Sequence, residues 1–140
     1  MSFSLACNFP MGMEDGTIQD AQISASSTAS PPSANHTSDY YSPHQGRLNS
    51  AGHIWCAGTD DKNQWLKVDL GLIKKVTGVA SQGEGSKFTK SYFVEYSLDN
   101  TEWFHFTTSS GSQVHQTSLS SYTHFLVHSQ FVNTTLCFHC

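Results

Sequence analysis

Two thiols and an imidazole close the chain as Cys137-Phe138-His139-Cys140. A Cys-x-x-Cys pair of this kind can exchange with disulfides, but that chemistry needs the first thiolate stabilised, commonly at a helix N-terminus. Here the sequence ends instead of opening a helix. Zinc would find two sulfurs and His139 as a third ligand, yet a structural zinc site takes four. The segment therefore reads first as two disulfide partners, with a thiol-redox or metal-binding protein acting through Cys137, His139 and Cys140 as the alternative of a different class. The eight histidines add no metal spacing. His124 and His128 would share a strand face, but four strand residues hold them roughly 13 Å apart, too far to share an ion. The adjacent acidic pairs Asp60-Asp61 and Glu14-Asp15 read as turn residues. There is no Gly-x-Ser-x-Gly elbow, no His-Glu-x-x-His and no phosphate-cradling glycine loop. The expectation is no enzyme, no metal and no cofactor, with structural calcium not indicated.

The elements available to position side chains are short strands. In Asn63-Gln64-Trp65-Leu66-Lys67-Val68-Asp69-Leu70-Gly71 the alternation is clean. An extended chain would turn Leu66, Val68 and Leu70 to a core and Trp65, Lys67 and Asp69 to the other face. Strands are expected over 65–70, 75–81, 92–97, 103–107 and 122–128, with a hairpin over 97–103 turning at Asp99-Asn100. Residues 16–28 are extended but polar. Residues 30–42 form a loop whose Pro31-Pro32 cannot sit in a central strand, because proline donates no ladder hydrogen bond. Short strands at this spacing predict an all-β sandwich or barrel.

At 140 residues the chain suits one domain, 1–140. Charged residues make up 13%, about half the usual share of roughly 25%. The net charge of −4, without a run of Lys or Arg, excludes nucleic acid as a natural partner. No stretch approaches the roughly 20 apolar residues that span a bilayer, and the opening MSFSLACNFP is not a recognisable signal peptide. An even set of cysteines, Cys7, Cys56, Cys137 and Cys140, and two glycosylation acceptors, Asn35-His36-Thr37 and Asn133-Thr134-Thr135, point to a secreted or cell-surface module.

Cys7 with Pro10-Met11-Gly12-Met13-Glu14-Asp15-Gly16, Ile23-Ser24-Ala25-Ser26-Ser27, Tyr41-Ser42-Pro43 and Arg47-Leu48-Asn49 come in order along the chain. Trp55-Cys56, Gln64 to Gly71, Val76-Thr77-Gly78-Val79 with Gln82-Gly83, and Tyr92 to Trp103 follow them. This series resembles a discoidin domain, also called the coagulation factor 5/8 type C domain, most strongly over 7–106, with 107–140 divergent. The resemblance implies an antiparallel jelly-roll sandwich or distorted barrel of about eight strands with ligand-binding loops at one end. It further implies a non-enzymatic module that binds phospholipid, peptide termini, collagen or glycans. Relatives close with a strand ending in cysteine; residues 123–128 stand in for the penultimate strand here, and the closing strand looks missing or replaced. By resemblance Cys7 pairs with Cys140 and Cys56 with Cys137, although four cysteines permit three pairings. The family places Trp65, Lys67 and Asp69 within the barrel, with Arg47 as a partner for Asp69.

The same resemblance guides the ligand. Lipid-binding relatives carry large apolar side chains at the loop tips. Residues 30–37 are small and polar, a glycan on Asn35 would obstruct insertion, and Phe88 is the one apolar candidate in the 85–89 loop. Phospholipid is therefore the less favoured ligand. A peptide-terminus pocket of the neuropilin type matches Tyr41, Asp60, Ser86 and Thr89 by position, and Trp55 and Phe88 complete the expected ligand-binding set. A carboxylate there would pair with a cation while hydroxyls bond a carboxylate or a sugar. A glycan uses the same ingredients, so the expected partner is a cell-surface or matrix glycan or protein, bound in adhesion.

Overall fold

The computed structural model describes residues 10–50, 52–76, 78–84, 87, 89, 92–105, 121–129 and 135–139, the last two segments as backbone. Among them are seven strands: β1 (Ile23–Ala25), β2 (Gln64–Lys75), β3 (Gly78–Gln82), β4 (Tyr92–Ser97), β5 (Phe104–His105), β6 (Ser121–Ser129) and β7 (Thr135–His139). Five form an antiparallel sheet in the order β1-β2-β6-β4-β5, and β3 pairs with β7 in a second. The fold is an all-β antiparallel sandwich. Its inner face is the one the alternation predicts: Leu66, Val68 and Leu70 are buried with Val94, Val76, Met13 and Ile23. Full burial of each aliphatic side chain contributes roughly 1.5–3 kcal/mol.

The opposite face of β2 is half-buried and internally paired. The Lys67 ammonium lies 5.8 Å from the Trp65 ring centroid and donates to Asn100 Oδ1 at 3.1 Å. Past Asp69 the register against β6 shifts. Gly71 takes φ 72°, a conformation open to glycine, and Asp69 Oδ1 accepts its N–H at 2.7 Å. The expected Arg47–Asp69 pair does not form. Arg47 instead donates to the Met13 carbonyl at 2.6 Å, the Ile18 carbonyl at 2.8 Å and the Asp20 carboxylate at 2.5 Å, tying the chain before β1 to the loop after it.

Two strand expectations shift. Lys75 ends β2, so the next strand begins only at Gly78, and the strand expected over 103–107 is Phe104–His105 among the described residues. The closing strand that looks missing from the sequence is present. β7 runs antiparallel to β3 from Gly78↔His139 to Gln82↔Thr135 and supplies hydrogen-bond partners along that edge. The 97–103 turn is as expected. Asn100 has φ 62°, and Asp99 Oδ1 accepts the N–H groups of Thr101 at 2.9 Å and Glu102 at 3.1 Å.

Gln64 and Tyr92 both pair with Ser129, so the loops that lead into β2 and β4 emerge at the same end of the sheet. Asn49 N–H donates to Gln82 Oε1 at 2.9 Å, which brings the end of β3 to that same end.

Candidate functional site: a polar pocket between two loops

The base of the long loop between β1 and β2 is pinned by one amide. Gln64 is buried, and its side chain is fully satisfied. Nε2 donates to Thr59 Oγ1 at 2.7 Å and Asp61 Oδ1 at 2.9 Å, while Oε1 accepts from Ser26 Oγ at 2.7 Å and Ser27 Oγ at 2.5 Å. The Gln64 bond, followed by the Asn63 N–H, holds the Asp61 carboxyl below its usual range. Ser27 Oγ also accepts from Gly58 N–H at 2.9 Å, and Trp55 Nε1 donates to the Ser27 carbonyl at 3.0 Å.

A cavity of about 220 Å³ is lined by Asn49, Ser50, His53 and Ile54 of the same loop and by Gln82, Gly83 and Glu84. Asn49 at φ 56° and Gly52 at φ 73° turn the chain tightly. Asn49 Nδ2 donates to Glu14 Oε1 at 2.7 Å. Opposite, Glu84 and Lys87 close a tight turn through reciprocal backbone bonds of 2.8 and 3.0 Å. Ile54 is buried; the other side chains lining the cavity are polar.

Beside the pocket runs a line of rings. His36 meets Tyr40 edge-on with centroids 4.3 Å apart, Tyr40 meets Tyr41 at 4.7 Å, and Tyr40 lies 6.4 Å from His53. The segment is braced by His44 Nε2 against Asp39 Oδ2 at 2.9 Å. Bonds from Ser42 and then His44 keep the Asp39 carboxyl below its ordinary range. Lys87 folds over Tyr41: its ammonium donates to the phenol oxygen at 2.5 Å and stands 4.6 Å from the ring centroid. That bond pushes the Lys87 pKa up.

The structure places the expected site residues as follows relative to this pocket. Tyr41 is 6% exposed, its hydroxyl is engaged by Lys87, and it lies outside the pocket lining. Trp55 is 1% exposed and packs in the core, outside the pocket lining. Asp60 is exposed, with no partner among the described residues, and does not line the pocket. Thr89 is half-buried and also lies outside the pocket lining. Ser86 and Phe88 lie outside the described residues, as do Cys7, Cys140 and Asn133. Asn35 is exposed on its turn.

Among the described residues Cys56 has no disulfide partner; the side chain of its expected partner Cys137 lies outside them. Cys56 stands beside the Tyr41 segment, its N–H bonded to the Tyr41 carbonyl at 3.4 Å, whereas Cys137 pairs with Ala80 across the β3–β7 ladder. Burial pushes the Cys56 pKa up. No group of three metal-ligating side chains occurs among the described residues. The pocket residues Asn49, Ser50, His53, Gln82 and Glu84, with Tyr40 and Lys87, were not foreseen. The signal for them was the Asn49-to-Gly52 turn chemistry and the second tyrosine beside Tyr41.

An antiparallel β-sandwich that carries a polar pocket on loops at one end defines a class of recognition modules. The chain belongs to the F5/8 type C domain family, whose model matches residues 22–131; domains of this family are typically non-catalytic binding modules. It is 41% identical over 103 residues to coagulation factor V of Mus musculus, covering 69% of this chain and 4% of that protein. It is 37% identical over 124 residues to lactadherin of Rattus norvegicus, covering 84% of this chain and 29% of that protein. The chain thus spans less than a third of either relative. Among solved structures it resembles the CBM32 of AlyQ in complex with 4,5-unsaturated mannuronic acid. The TM-score is 0.57 at 15% identity, over 83% of this chain and 92% of that one.

Proposed function

We propose that residues 1–140 form one extracellular binding module that recognises a glycan in the pocket between the 49–54 loop and the 82–87 turn. The observation that carries this reading is the lining. Two amides, a hydroxyl, an imidazole and a carboxylate face a cavity of about 220 Å³ beside the half-buried Tyr40 ring. Each sugar hydroxyl both donates and accepts, and Asn49, Gln82, Ser50, His53 and Glu84 offer both kinds of group at short range. The volume lies below the roughly 300–1,000 Å³ of drug-sized pockets, and suits a single sugar ring. The sugar-bound state of the AlyQ module, which shares the fold, agrees with this reading.

Two other ligand classes fit less well. Among the described residues the exposed large apolar side chains are Leu72, Ile73, Phe93, Leu98 and Phe104, none on the 26–63 loop, and the residues at 30–37 are small and polar, which offers little apolar surface there for insertion into a phospholipid layer. A basic peptide terminus would need the Tyr41 ring and hydroxyl, which Lys87 already engages. An extracellular setting is supported by the two acceptor sequons.

The test is a glycan array read in parallel with phosphatidylserine vesicles, using the wild type, Glu84→Gln and Asn49→Ala. Binding to a defined glycan that falls at least tenfold in both variants supports the reading. Vesicle binding without glycan binding, or glycan binding that both variants retain, overturns it.

A further inference from the structure

Asn35 stands at the start of the line of rings that ends in the pocket. The Ser33–His36 turn is closed by His36 N–H to the Ser33 carbonyl at 3.1 Å and by Ser33 Oγ to His36 Nδ1 at 2.8 Å, and this turn presents Asn35 to solvent. The Asn35 side chain is exposed and has no hydrogen-bond partner among the described residues, so its Nδ2 is available. Its sequence neighbour His36 packs on Tyr40, and Tyr40 lies beside His53, which lines the pocket. Two ring contacts therefore separate the modification acceptor from the proposed binding site.

We propose that Asn35 carries an N-linked oligosaccharide that covers the Tyr40–His53 side of the pocket, so that the domain's own glycan limits access of an external one. The modification half needs only the exposed Asn35-His36-Thr37 acceptor; the regulatory half rests on the glycan reading above. In the transfer the Asn35 Nδ2 bonds to the anomeric carbon of a lipid-linked oligosaccharide diphosphate. The carbon–oxygen bond to the diphosphate breaks, the diphosphate leaves with the bonding electrons, and the amide gives up one proton to a base. No electrons change hands. The attached sugars are hydrated and bulky, and pivot about an exposed turn, so they shield neighbouring rings by excluded volume and by stacking on the His36 and Tyr40 faces.

The test uses protein secreted from eukaryotic cells, before and after enzymatic removal of N-glycans, beside Thr37→Ala, which abolishes the acceptor while keeping Asn35. Intact mass and peptide mapping are expected to place one oligosaccharide on Asn35, and an unmodified Asn35 overturns the proposal. Labelling of His53 by diethyl pyrocarbonate is expected to be several-fold slower in the glycosylated form, with His105 labelled equally in all forms. This readout needs no external ligand. Binding to array glycans is expected to rise several-fold on removal and to be equally high in Thr37→Ala. Equal His53 labelling in all forms overturns the shielding. Altered labelling without binding of any glycan by any form overturns the glycan reading and the regulatory role, and leaves the modification and its shielding standing.

Discussion

Replacing Gln64 by alanine removes the one side chain that holds four groups at the two ends of the loop between β1 and β2. Three of its bonds are to the neutral hydroxyls of Ser26, Ser27 and Thr59, each contributing about 0.5–1.5 kcal/mol. Those hydroxyls lie near the surface and can rehydrate, which places the expected loss in the lower half of that range, about 2 kcal/mol in all. The fourth bond, to the exposed Asp61 carboxylate, is left out of that figure; its loss lets the Asp61 pKa return upward. With a urea m-value of roughly 2 kcal/mol/M, the unfolding midpoint should fall by about 1 M with little change in slope. Urea unfolding followed by tryptophan fluorescence reads this directly, since Trp55 Nε1 is bonded to Ser27 in the same network. A Gln64→Ala protein whose midpoint moves by less than about 0.3 M would show that the network does not hold the loops together, and would refute the reasoning.

Truncating Leu66, buried at 0% exposure, to alanine should cost about 2–5 kcal/mol, seen as a large fall in thermal midpoint. Acid should destabilise the domain. The carboxyls of Asp99, Asp61, Asp39 and Asp15 are held below their usual range in the folded state, chiefly by hydrogen bonds from Thr101, Gln64, Ser42 and Thr17 respectively. Their contribution is therefore complete above the unfolded carboxylate pKa of about 3.9 and is lost as pH falls through the folded values. Stability that stays level between pH 5 and pH 2 in a denaturant series would contradict this. The Cys56 thiol, raised by burial, should react with iodoacetamide more slowly than an unfolded control at neutral pH and faster as pH climbs. Peptide mapping that finds Cys56 in a disulfide would refute this expectation. Lys87→Met removes an ammonium that lies largely in solvent, so the thermal midpoint should drop by only a few degrees.

How much of this was legible in the sequence depends on the range of the forces involved. The β2 core face was readable because burial with period two is a local pattern: Leu66, Val68 and Leu70 are inside as the alternation requires. The 97–103 turn was readable for the same reason, since Asp99 bonds the next residues of its own turn. β7 was not, because a five-residue strand at the end of a sequence is recognisable only through its partner, here β3. The pocket was hidden more deeply. Asn49, His53, Gln82 and Glu84 are polar residues on two loops, with no periodicity to connect them. Tyr40 and Tyr41 are neighbours in sequence, and only the contact with Lys87, 46 positions away, decides that Tyr41 is the covered ring. The burial of Trp55 was hidden because an aromatic residue outside a strand gives no local sign of being 1% exposed.

The most direct test of the central claim is a two-dimensional amide NMR titration of the ¹⁵N-labelled domain with the best sugar from the array. Saturable shifts should cluster at Asn49, Ser50, His53, Gln82 and Glu84, extend to Tyr40, and vanish in Glu84→Gln. Shifts confined to the Trp65 and Phe93 strands, or no shifts with any sugar while phosphatidylserine vesicles broaden the loop signals, would contradict a glycan pocket at this end of the sandwich.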